Sequence, residues 1–114
     1  FIIDHSMISD IERLKRIFER MNSDGYDLKN YLKWGFYFFD QKEGKLSKLS
    51  TELINLGYTF ENLSIIEDGD WRLYVSVVDV LTPEELHNRN IYLNKLASNH
   101  NVALYDGWDV EKIN

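Results

Sequence analysis

The residues best placed to do chemistry are Tyr105-Asp106-Gly107-Trp108, near the end of the chain. Tyrosine and tryptophan beside acids are the makings of a protein-binding hot spot. Asp106, Asp109 and Glu111 would supply counter-charge to a basic or amphipathic partner. These residues belong to segment 102–110, which reads as an alternating strand running into an Asp-Gly turn and then a tryptophan. A plainer role is open to the same residues. Gly107 permits a bend, and Trp108 folds back to cover the end of the core.

Other candidate chemistry is sparse. Glu67, Asp68 and Asp70 form an acidic cluster that could meet a basic partner. They lack the D-x-D-x-D-G run and distal glutamate of a calcium loop, so no metal is expected. Asp79 interrupts an apolar run, either capping the next helix or sitting half-buried and hydrogen-bonded. A catalytic acid there would need a second titrating group, and the sequence offers none. His5, His87 and His100 lack metal-ligand spacing with a carboxylate. There is no cysteine, no phosphate-binding glycine loop and no nucleophile beside a base. The chemistry is that of a non-enzymatic binding protein, with no cofactor.

The elements that must position these residues are legible. A first helix carries Ile11, Leu14, Ile17, Phe18 and Met21 on one face, with Ser9 and Glu12 at capping-box spacing. Segment 33–39 has aromatics at both parities, which predicts a central strand covered on parts of both faces. Leu46, Leu49, Leu53 and Leu56 mark a second helix, ended by Gly57. A strand from Tyr58 leads through a turn at Asp68-Gly69 into a third strand over 71–81. There Trp71, Leu73, Val75 and Val77 alternate with Arg72, Tyr74, Ser76 and Val78. Thr82-Pro83-Glu84-Glu85 opens a third helix with cap, first-turn proline and box. Gly57, Gly69 and Gly107 are the structural turn glycines.

The order is one helix followed by β-α-β-β-α-β. This predicts an α+β fold, a ferredoxin-like βαββαβ sandwich with an additional N-terminal helix. Two right-handed crossovers would put their helices on one sheet face. The other face would be open, or partly covered by the first helix. Residues 1–8 read as a leader with Met7 as the natural start, and 9–114 as one domain.

Charge narrows the partner. The net charge is −6. Residues 1–57 hold nine acids and nine bases, and residues 58–114 hold ten acids and four bases. An acidic half argues against direct contact with a nucleic-acid backbone, which needs clustered Lys and Arg. The third strand also lacks the basic-Gly-aromatic pattern of an RNA-recognition sheet. No apolar run approaches the ~20 residues of a membrane span, so no membrane partner is expected. The absence of cysteine suits a cytoplasmic location.

Leu56-Gly57-Tyr58, then Glu67-Asp68-Gly69-Asp70, then Tyr105-Asp106-Gly107-Trp108, in this order and spacing, resemble the regulator of ribonuclease E activity B (RraB-like) family. The resemblance runs from about residue 24 to 110. It implies a cytoplasmic, non-enzymatic, ferredoxin-like domain that binds the endoribonuclease RNase E and alters RNA decay. Family members commonly read Tyr-Asp-Gly-Trp-Gly-Thr, whereas this chain has Asp109-Val110 after Trp108. The same physics, a small acidic domain set against a basic nuclease, also suits an immunity protein neutralising a nuclease toxin. That alternative stays open here.

Overall fold

The computed structural model describes residues 10–113; the leader, His5 and Ser9 lie outside the described residues. The elements are α1 (Ile11–Ser23), β1 (Leu32–Asp40), α2 (Glu43–Asn55), β2 (Thr59–Ile65), β3 (Trp71–Asp79), α3 (Pro83–Asn99) and β4 (Leu104–Glu111). A short 3-10 turn, Glu67–Gly69, joins β2 to β3. The architecture is α+β, with three helices and a four-stranded antiparallel sheet among the described residues. The strand order is β2-β3-β1-β4.

Local signals account for the helix ends. The cap of α1 is Asp10, where Ser9 was expected. Its Oδ1 accepts from the backbone N–H groups of Glu12 and Arg13, at 3.0 and 3.3 Å. A carboxylate serves this position as well as a hydroxyl and also complements the helix dipole. At α3 the expected box is complete: Glu85 N–H donates to Thr82 Oγ1 and Thr82 N–H to Glu85 Oε1. Leu56 departs from its predicted buried face and is half-exposed. The helix stops at Asn55, and Tyr58 N–H bonds back to Leu53 C=O, so Leu56 leaves the helical phase.

Parity divides β1. Leu32, Trp34, Phe36 and Phe38 enter the core, and Lys33, Gly35, Tyr37 and Phe39 point to the other face. On the core face Phe38, Phe36 and Trp34 pair with Leu73, Val75 and Val77 of β3. The same core takes residues from all three helices. Phe18 of α1 stacks on Trp34 at 5.8 Å, and α1 packs against α3. The first helix therefore extends the helix layer rather than covering the second sheet face.

The final strand differs from its expected form. Segment 104–111 is one continuous strand, and Asp106-Gly107 is a β-bulge within it, not a turn. Phe38 pairs with Tyr105 and Phe36 with Trp108, so two residues oppose Tyr37 alone. Gly107 takes φ 95°, which its missing Cβ allows. Without the extra residue's accommodation, Tyr105 and Trp108, three apart, would point to opposite faces. With it both enter the core.

Candidate functional site

With the helices all on one side, the opposite sheet face carries no helix among the described residues. At its centre, however, the side chains are covered by one another. Tyr37 of β1 and Tyr74 of β3 are cross-strand partners. Their rings stack at 4.6 Å and are nearly parallel, at 5°. The Arg72 guanidinium sits 5.4 Å from the centre of the Tyr37 ring. The Tyr37 hydroxyl donates to Asp109 Oδ2 of β4 at 2.7 Å. Together these contacts leave Tyr37 only 9% exposed.

Gly35 is the floor of this cluster. It lies opposite Ser76 on β3 and Asp109 on β4. A Cβ built there would run into Asp109 Oδ1 and the Tyr74 ring. The absence of a side chain lets a carboxylate and a phenol lie flat on the central strand. Sheet geometry and one glycine thus gather groups from three strands.

The electrostatics follow from the cover. Burial, reinforced by the hydrogen bond to Asp109, pushes the Tyr37 phenol far above its usual range. Burial, with the nearby charge of Asp109, pushes Tyr74 up to about 12. Burial also raises the Asp109 carboxyl, opposed by the Tyr37 hydroxyl and reinforced by the neighbouring charge of Glu111. Asp109 Oδ1 and Arg72 Nε are buried without hydrogen-bond partners.

A second polar group completes the face. Ser76 Oγ donates to Glu61 Oε2 at 2.7 Å, and Lys33 Nζ pairs with the same oxygen at 3.1 Å. The Ser76 hydrogen bond leads in holding the Glu61 carboxyl below its usual range, with Lys33 assisting against partial burial. Glu111 pairs in register with Lys33, but the lysine ammonium reaches Glu61, and Glu111 is exposed.

The residues singled out in the sequence divide between the two faces. Tyr105 and Trp108 are 3% and 1% exposed, so neither is a surface anchor. The Tyr105 hydroxyl donates to Asn90 Oδ1 at 2.6 Å, and Trp108 packs at 5.8 Å from Trp34. Asp106 is buried beside the bulge. Asp109 belongs to the cluster, and Glu111 flanks it. Asp70 is half-buried after the 3-10 turn; the side chain of Asp68 is outside the described residues. Gly57 and Gly69 adopt positive φ at the ends of α2 and the turn.

Asp79 ends β3 without capping α3. Its Oδ1 accepts from Val80 N–H, and its Oδ2 lies 3.5 Å from Arg89. His100 caps the C-terminus of α3 and bonds Glu52 on α2. A groove of about 510 Å³ between the end of α2 and α3 is lined by Leu56, Tyr58, Val77, Glu85, Arg89 and Tyr92. Its two charged residues are occupied, Glu85 in the capping box and Arg89 on Asp79. Among the described residues no group of three or more His, Asp or Glu could hold a metal. Among the described residues, none of the helices is long and apolar enough to cross a membrane.

Sequence reasoning missed Gly35, Tyr37, Arg72 and Tyr74. The available signal was parity: Tyr37 stands out of phase with Trp34, Phe36 and Phe38, and Tyr74 with Leu73 and Val75. No curated protein matches the chain. A family model does: the one described as regulator of ribonuclease activity B, over residues 11–110.

Proposed function

Because this chain belongs to the regulator of ribonuclease activity B family, we propose that it is a non-enzymatic cytoplasmic protein that binds a ribonuclease and limits its action. The target proposed is an RNase E-type endoribonuclease. Contact is through protein, not through RNA. The strand order, with a β-α-β crossover on each side of the β2–β3 hairpin, supports reading the domain as ferredoxin-like, preceded by α1.

The observation that carries the docking surface is the sheet face that no helix covers among the described residues, with its self-supporting cluster of Tyr37, Tyr74, Asp109 and Arg72. A face kept only for solubility does not need a glycine to seat a half-buried carboxylate beneath a tyrosine. Tyrosine held rigidly among polar neighbours is a contact residue of low entropic cost. Candidate contacts on this face are Tyr74, Asp109 and Glu111; Asp68 and Asp70 lie at the distant hairpin. Tyr105 and Trp108 support the face from within.

The test is an RNA-cleavage assay with purified RNase E and increasing amounts of this protein. Inhibition that weakens as salt rises is the expected result, because acids steer the encounter. No binding at low salt would sink the RNase E assignment. Capture and inhibition of a toxin nuclease instead would transfer the protein to the immunity class.

A further inference from the structure

We propose that the open face takes an arginine side chain of its protein partner, seated against Glu111 and the exposed part of Tyr74, the outer ring of the Tyr37–Tyr74 stack. This deepens the docking face proposed above and rests on it. The argument is one of charge complementarity within a single face.

Among the described residues, five charged side chains are placed on that face by strand register or by their contacts: Lys33, Glu61, Arg72, Asp109 and Glu111. Both cations are committed inside it. Lys33 reaches Glu61 at 3.1 Å, and Arg72 lies over the Tyr37 ring. The remaining charges are two carboxylates on alternate residues of β4, Asp109 and Glu111, which share the face. Asp109 has one oxygen satisfied by Tyr37 and the other buried without a partner. Glu111 is exposed, with its register partner turned away. A cation arriving at Glu111 would meet one carboxylate directly and feel the second through a poorly solvated layer, where charge acts more strongly.

The cluster also discriminates between cations. Arginine is planar, stacks on aromatic rings and matches a carboxylate with two parallel donors; lysine is a compact point charge. The face already holds one guanidinium in this way, that of Arg72 over the Tyr37 ring.

The experiment is an NMR titration of the uniformly 15N-labelled chain with the peptide Ac-Gly-Arg-Gly-Arg-NH2. The lysine and citrulline counterparts serve as probes of charge and shape. The arginine peptide should shift the amides of Gly35, Tyr74, Asp109 and Glu111. The lysine peptide should bind at least about threefold more weakly, and the neutral citrulline peptide should not bind there. Glu111→Gln, an exposed change, should weaken the arginine peptide. Tyr74→Leu, checked for folding by its spectrum, should erase the preference for arginine over lysine. Equal shifts from citrulline, shifts confined to another surface, or no shifts would overturn the site. If the wild-type protein binds a ribonuclease and Glu111→Gln and Tyr74→Leu leave that binding unchanged, the site fails and the regulator reading stands. If the peptide binds as expected but no ribonuclease does, the site stands and the partner is wrong.

Discussion

On one side of the sheet, Trp34, Phe36, Phe38 and Trp108 lie beneath three helices. On the other, Tyr37 reaches nearly the same cover with Tyr74, Arg72 and Asp109 against it. Both faces draw on the same strand, β1, at alternate residues. The covered face is mostly apolar, and two of its few polar ends are answered by hydrogen bonds: Trp34 Nε1 donates to Asp79 C=O and the Tyr105 hydroxyl to Asn90. The open face uses phenols and a carboxylate, and within the sheet only part of their polar ends is answered: the Tyr37 hydroxyl meets Asp109 Oδ2, while Asp109 Oδ1 has no hydrogen-bond partner. The difference teaches that aromatic content is a poor guide to where a sheet is buried. Phase and polar ends are the guide.

The largest effect should come from the covered face. Trp108→Ala should destabilise by about 3–5 kcal/mol, as large-to-small core truncations do, read by urea unfolding. An unchanged midpoint would break the comparison, because Trp108 would then not be core. Gly35→Ala should cost less, about 1–3 kcal/mol, the range of overpacking, since a Cβ collides with Asp109 and Tyr74. It should also separate the two tyrosine rings, visible as changed ring-proton shifts. A variant with wild-type stability and unmoved rings would show that the cluster does not depend on that floor.

The smallest effect is a change with pH. Burial holds the Asp109 carboxyl above its ordinary value. The folded protein therefore keeps that proton to higher pH than the unfolded chain does. The stability linked to it is full below the unfolded pKa and fades as pH rises through the raised folded pKa. Asp109→Asn removes this dependence. The variant should gain on the wild type between pH 4 and pH 7 in paired urea denaturations. A gap moving the other way would mean that the Tyr37 hydroxyl outweighs burial.

Much of the covered face could be read directly from the sequence. Thr82-Pro83-Glu84-Glu85 announced α3 because capping chemistry is local, and Leu46, Leu49 and Leu53 announced α2 because periodicity is local. The open face could not be read so easily. Tyr37 and Tyr74 meet only through the β1–β3 register, and Gly35 matters only because Asp109 arrives from a third strand. Asp106-Gly107 misled because the same dipeptide serves a hairpin turn and a bulge. The choice depends on whether the flanking residues pair with each other or with a third strand. Here both flanks pair with β1.

The bulge also makes β4 hard to shift. Past the bulge the strand alternates without a fault, Trp108 in, Asp109 out, Val110 in and Glu111 out, and Tyr105 ahead of it is also in. With Gly107 counted, a flat strand would send Trp108 and Val110 to solvent and press Asp109 and Glu111 into the apolar core. No neighbouring alignment differs from the native one by a little. The strand is in effect keyed, like a plug with one oversized pin. It seats correctly or not at all, so the acidic edge of the open face is held by the same fit that holds the tryptophan.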